Sequence, residues 1–241
     1  MLHTLTSAVV LGAASLLASS AHAVVLYDGA LGTSPTAQSL SYGAFPGGTY
    51  HTTAAGSTTL DTTSSSGISA GFTSSTPVVL DRAVGFTYRV DARVLSSTFT
   101  SGSRAGFSLI ALSSDRRGIE LGFHGDEVFA QDDSPLFVRD ESAAFDTTAA
   151  VRRYELTVLG ETYTLRADGA TVLSGPVRDY SAFTPIAGFP DPYETPNFLF
   201  LGDNSTSAAG STQFSYVSVL VPEPTTTAAL GLAAALVLRR R

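Results

Sequence analysis

The feature that most constrains this chain is a repeated alternation of apolar and polar residues with a period of two. Phe86, Tyr88, Val90, Ala92 and Val94 alternate with Thr87, Arg89, Asp91, Arg93 and Leu95. Ile119, Leu121 and Phe123 alternate with Glu120, Gly122 and His124, and Tyr154, Leu156 and Val158 with Glu155, Thr157 and Leu159. Tyr163, Leu165 and Ala167 alternate with Thr164 and Arg166. Successive side chains on a strand project to opposite faces, so the pattern calls for half-buried antiparallel strands. Further strands are expected at 24–27, 68–72, 107–112, 127–131, 171–173, 197–201 and 214–221. Gly125-Asp126, Gly160-Glu161 and Asp168-Gly169 supply turns between several of them. Helical signals are scarce, with a short turn or helix expected over 142–150. Residues 38–66 read as long loops or edge strands, and Pro185, Pro190, Pro192 and Pro196 mark an irregular stretch. The expected fold is all-β, a two-sheet antiparallel sandwich.

Composition removes several function classes. With 44% hydrophobic and 15% charged residues, the chain is too apolar to remain disordered. Its 14 cationic residues are all arginine, against 21 acids, for a net charge of −7. An acidic chain without lysine lacks the cationic surface that displaces counterions, so no nucleic-acid partner is expected. Zero cysteines exclude disulfides, thiol catalysis and cysteine-ligated metals. No run of about 20 apolar residues offers an ordinary internal membrane span.

Both ends read as address labels. Residues 1–23 contain the apolar run 9–17 and finish in Ala21-His22-Ala23, a small-x-small cleavage pattern. A secretory signal helix cut after Ala23 is expected, and the Sec machinery with it. The alternative is a buried N-terminal helix. At the other end, Val221-Pro222-Glu223-Pro224 precedes a short Ala/Leu-rich segment and Arg239, Arg240 and Arg241. The prolines stop a helix from running backward into the domain. A helix over 225–238 would be about 21 Å long, short of the roughly 30 Å hydrocarbon core. The basic end would sit at the cytoplasmic headgroups.

This tripartite end, residues 221–241, resembles the PEP-CTERM sorting signal of Gram-negative bacteria. The resemblance implies transient insertion in the inner membrane, processing by an exosortase near the motif, and export to the cell surface or extracellular matrix, often beside exopolysaccharide. The domains expected are therefore a signal peptide at 1–23, a β-sandwich at 24–221 and a sorting signal at 222–241.

The central domain resembles a concanavalin-A-like or laminin-G-like jelly roll. The resemblance rests on Gly85-Phe86-Thr87-Tyr88-Arg89-Val90, on Tyr163-Thr164-Leu165-Arg166-Ala167-Asp168-Gly169-Ala170, and on Asn197-Phe198-Leu199-Phe200-Leu201-Gly202-Asp203. In such a fold one sheet can present a polar groove. With the apolar sets assigned to the core, Arg89, Asp91, Arg93, Glu120 and His124 point outward, joined by Gln131. On neighbouring strands they would form one polar cluster able to grip sugar hydroxyls, with His124 tuning binding by pH and Phe129 stacking on a ring. The alternative is a solvated face with cross-strand ion pairs.

Catalytic patterns are weak. A glycosidase needs two carboxylates facing one gap, and adjacent acids such as Asp126-Glu127 and Asp132-Asp133 point to opposite faces of a strand. Gly67-Ile68-Ser69-Ala70-Gly71 matches a nucleophile-elbow string, but no apolar strand precedes it and no helical pattern follows. Within the trimmed domain, His51 and His124 are the candidate bases, and two lone histidines make no metal constellation. No cofactor is expected. Calcium is the one candidate ion, at Asp203 and Asn204 or at Asp132 and Asp133; in the family resembled, such jelly rolls often hold one. The expected function is a non-enzymatic, exported surface or matrix protein whose sandwich binds polysaccharide or another surface component. The alternatives are a glycoside-hydrolase-like enzyme and a purely structural matrix protein.

Overall fold

The computed structural model describes residues 21–185 and 191–222. In chain order its strands are β1 (Ala21–Asp28), β2 (Leu40–Phe45), β3 (His51–Ala54), β4 (Ser57–Asp61), β5 (Ser69–Ser74), β6 (Phe86–Phe99), β7 (Ser108–Leu112) and β8 (Gly118–Phe123). There follow β9 (Glu127–Asp133), β10 (Leu136–Ala144), β11 (Arg152–Leu159), β12 (Thr162–Ala167), β13 (Ala170–Pro176), β14 (Leu199–Asp203) and β15 (Ala208–Pro222). The remaining regular structure among the described residues is four single 3-10 turns, including Tyr180–Ala182 and Pro192–Glu194.

The strands form two antiparallel sheets. One has the order β13-β12-β11-β6-β15-β4-β3, with β1 also pairing β15. The other runs β10-β9-β8-β7-β14-β5-β2. The two longest strands, β6 and β15, lie side by side from Ala208↔Phe99 to Leu220↔Thr87 and form the spine of the eight-stranded sheet. On its other side β15 receives β1, with Ala21 opposite Pro222.

The alternation does what the sequence demands. Phe86, Tyr88, Val90, Ala92 and Val94 of β6 are buried and face Leu109, Ala111, Leu121, Phe123, Leu199 and Leu201 of the opposing sheet in one core. Fully burying a large side chain of this kind contributes about 1.5–3 kcal/mol. The Asp168-Gly169 hairpin forms as expected: both residues have positive φ (50° and 85°), the requirement of a type I′ turn.

Residues 38–66 take the strand alternative: β2, β3 and β4 lie there, with β2 and β3 at sheet edges. Two expectations change. Residues 142–150 are not helical, since 142–144 finish β10. Residues 21–23, expected in the signal helix, are extended in β1. The rest of the signal segment, together with Glu223, Pro224, Arg239, Arg240 and Arg241 and the expected C-terminal helix, lies outside the described residues. Val221 and Pro222 end β15. Among the described residues no helix is long and apolar enough to cross a membrane.

Candidate functional site

The six residues expected to form one polar cluster are divided between the two sheets. Arg89, Asp91 and Arg93 lie on β6 of the eight-stranded sheet, whereas Glu120, His124 and Gln131 belong to β8, its end and β9 of the seven-stranded sheet. Within each strand these residues do leave the core, their apolar neighbours filling it. The assumption that the strands are neighbours fails, so the single cluster does not exist.

On the eight-stranded sheet the outward residues pair across strands. Arg89 is opposite Glu155 and donates to its Oε1 from Nε and Nη2 at 3.0 and 2.6 Å. Asp91 is opposite Arg153, which forks onto both carboxylate oxygens at 3.0 Å. Arg93 donates to Thr148 O at 2.6 Å. This half of the expectation resolves into the alternative, cross-strand ion pairs on an outer face.

On the seven-stranded sheet the outward residues are covered instead. Glu120 and Gln131 are 0% exposed and His124 2%. A second apolar cluster explains this: Ile110 and Leu112, the outward residues of β7, pack with Tyr180 and Tyr193, and Leu136, Phe137, Phe183, Phe198 and Phe200 pack against them. The described residues around the prolines, Tyr180, Phe183, Tyr193 and Phe198, thus lie over the sheet as a third layer. The carboxylates of Asp179 and Asp191 cap its two turns by accepting from Ser181 N and Tyr193 N.

That layer needs a flat floor. A Cβ on Gly71 would stand 2.5 Å from the ring of Phe200, and one on Gly122 2.5 Å from the ring of Phe129. Glycine lets each ring lie directly on the backbone. Phe129 is therefore fully buried, and its expected role as an exposed sugar-stacking ring is corrected.

Beneath the layer the polar groups form a connected network. The β8–β9 ladder runs as far as Leu121↔Ala130. Beyond it the Tyr180 hydroxyl inserts, accepting from Glu120 N at 3.1 Å and donating to Gln131 O at 2.7 Å. The Glu120 carboxylate accepts a short hydrogen bond from the Tyr193 hydroxyl and one from Asn204 Nδ2 at 3.3 Å. Asn204 Nδ2 also donates to the Tyr193 oxygen at 2.8 Å. Burial, then the Glu120 charge, pushes the Tyr193 hydroxyl far above its ordinary pKa. It remains a neutral donor.

Arg104, which sequence reasoning missed, completes the network. Its Nη2 lies 3.4 Å from Glu120 Oε1 and donates to Asn204 O, and its guanidinium sits 4.7 Å over the ring of Phe137. Phe137 holds a left-handed backbone, φ 59°, to place that ring. His124 and Gln131 act behind Arg104 as positioning residues. His124 Nε2 donates to Arg104 O at 2.9 Å and Gln131 Nε2 to Ser103 O at 2.7 Å, clamping the loop that carries the arginine. The His124 ring is stacked on Phe99 at 3.9 Å and does not face solvent.

The expected calcium ligands do not converge. The Asp203 carboxylate accepts from Thr62 Oγ1 at 2.7 Å and from Ser205 N at 3.0 Å, while Asn204 turns to Glu120 on the other side. Burial raises the Asp203 pKa to about 7, against the opposing hydrogen bonds and the Arg104 charge. Asp132 pairs with Arg178 at 3.3 Å, and Asp133 accepts from Asp179 N at 2.7 Å. Among the described residues no three or more His, Asp or Glu side chains are grouped to hold a metal. Ser69 sits on β5 and donates to Asp203 O at 2.8 Å, with a strand after it where an elbow needs a helix.

Two clefts open above this network. One, of about 390 Å³, is lined by Phe45, Ser69, Arg104, Phe137, Asn204 and Ser207 among others. The second, of about 430 Å³, runs over Ser41, Gly43, Gly71, Thr73 and Phe200. Planar rings beside hydroxyls, amides and a guanidinium suit a ligand with apolar faces and many hydroxyls.

No protein-family profile and no curated protein matches the chain. Solved structures do. A carbohydrate esterase from the Shiga toxin-encoding bacteriophage phi24B aligns with a TM-score of 0.54 at 13% identity, covering 84% of this chain and 100% of that one. The metal-free Emp46p carbohydrate recognition domain aligns at 0.47 and 10%, covering 81% and 94%. Alginate lyase A1-II′ of polysaccharide lyase family 7 aligns at 0.44 and 12%, covering 72% and 83%. The esterase likeness shows a shared jelly-roll sandwich fold.

Proposed function

We propose that this is an exported bacterial surface or extracellular-matrix protein whose sandwich binds polysaccharide without catalysis. The observation that carries the binding reading is the ring-walled cleft beside Arg104 and Asn204, both held by the buried Glu120 and Tyr193. Its chemistry matches a sugar, whose C–H faces stack on rings and whose hydroxyls both donate and accept. The fold shared with a carbohydrate esterase is consistent with this and assigns no activity.

The arrangement of the acids supports the non-catalytic reading against glycoside hydrolysis. That reaction needs two carboxylates across one gap of about 5–9 Å. Glu120 is sealed under Tyr193 and Asn204, and Asp203 faces Thr62.

Export rests on the leader and the tail, with Sec and an exosortase as the partners. The strand register is compatible with the trimming expected. A cut after Ala23 removes the pairs Ala21↔Pro222 to Ala23↔Leu220 and leaves Val24, Val25, Tyr27 and Asp28 paired to β15, and a cut beyond Pro222 leaves β15 whole.

Two measurements test the proposal. The intact mass of the protein from its native host should correspond to loss of residues 1–23 and of the basic tail. The same material should be retained on insoluble host polysaccharide. A full-length cytosolic protein would refute export, and no retention on any polysaccharide would refute the binding role.

A further inference from the structure

The two clefts share Phe45, Ser69, Pro192 and Asn204 in their walls, so they adjoin, and we take them as one groove. The groove starts at β2, the edge strand, crosses β5 and β14, and ends at the loop carrying Arg104. Adjacent strands lie about 4.8 Å apart, so β2 to β14 alone spans about 10 Å. A ligand can therefore run across the strands and leave the sheet at its edge.

The charges in the walls are Arg104 and Asp191, and both are engaged. Arg104 is balanced by Glu120 at 3.4 Å, and Asp191 caps Tyr193 N at 2.8 Å. Around them stand Ser, Thr, Asn, Gly and aromatic side chains. The chain as a whole carries −7, which repels an anionic polymer. Resting on the polysaccharide-binding reading above, we infer that the groove takes an extended stretch of a neutral polysaccharide, several sugar units long, lying across β2, β5 and β14 toward Arg104. Phe200 provides a ring face along its length, and Phe45 and Asn204 line the junction.

Gly43 gives a clean way to block it. It is exposed in β2, and a Cβ there meets nothing within 4 Å. A large side chain would thus enter the groove without disturbing the core. Ser41, exposed on the same face, offers a second blocking position.

The test is calorimetric titration of the full chain with cello-, laminari- and manno-oligosaccharides of two to six units, and with polygalacturonate. One neutral series should bind, with affinity rising at least tenfold from two to six units. Gly43→Trp and Ser41→Trp should each weaken the longest oligomer at least tenfold, with unchanged urea midpoints. Glu155→Ala, on the other sheet, should leave binding unchanged. A preference for polygalacturonate would overturn the neutral assignment while leaving polysaccharide binding intact. Equal affinity at all lengths, or binding indifferent to both blocking variants, would overturn the groove. No binding to any sugar would overturn both readings together.

Discussion

The outer faces of the two sheets come from the same kind of sequence and end in opposite environments. On β6 and β11, Arg89, Asp91, Arg153 and Glu155 pair in register at a half-exposed surface. On β8 and β9, Glu120 and Gln131 occupy equivalent outward positions and are 0% exposed, because Tyr180, Tyr193 and Phe137 cover them. Alternation determines which side chains leave the core. What then covers them is decided by residues tens of positions away. That cover converts an ordinary outer face into a buried polar network with a groove above it.

The comparison makes unequal predictions for one kind of mutation. Glu120→Ala strands Arg104 in a largely buried site and should cost about 3–5 kcal/mol in urea unfolding. A loss near that of a surface acid would mean the covering layer is not formed.

The next effect is pH. The folded pKa of Asp203, about 7, lies above its unfolded value, so the folded state binds the proton more tightly. The stabilisation is complete below pH of about 4 and is lost as pH rises through 7, amounting to a few kcal/mol (order of magnitude). The urea midpoint should fall between pH 5 and 8, and Asp203→Asn should flatten that slope. A midpoint that climbs over this range would contradict the burial of Asp203.

Tyr193→Phe removes one hydroxyl from Glu120 and Asn204 and should cost about 1–3 kcal/mol. Glu155→Ala on the half-exposed face should cost only about 0.2–1 kcal/mol, and less in high salt. If Glu155→Ala proved as damaging as Tyr193→Phe, the contrast between the faces would be wrong.

The sequence made the sandwich and its inward residues readable wherever alternation was regular. It failed at β10, where Leu136-Phe137-Val138 and Arg139-Asp140-Glu141 give blocks, not alternation. The structure supplies the reason: the register of β10 on β9 shifts between Leu136 and Arg139 and again between Arg139 and Ser142, and each bulge resets the period. Half of the site was visible, since Glu120 and Asn204 were singled out. Arg104 was not, because a lone arginine in Ser101-Gly102-Ser103-Arg104-Ala105-Gly106 has no periodicity to place it. The covering layer did leave a signal. Tyr180, Phe183, Tyr193 and Phe198 are too many rings for a solvated loop, and such rings must bury themselves somewhere.

The most direct test of which face is functional is amide chemical-shift mapping of the protein titrated with the oligosaccharide it binds. Gly43, Ser69, Asn204 and Ser207 should shift while Arg89, Asp91 and Arg153 stay still. Shifts confined to the β6–β11 face would contradict this assignment.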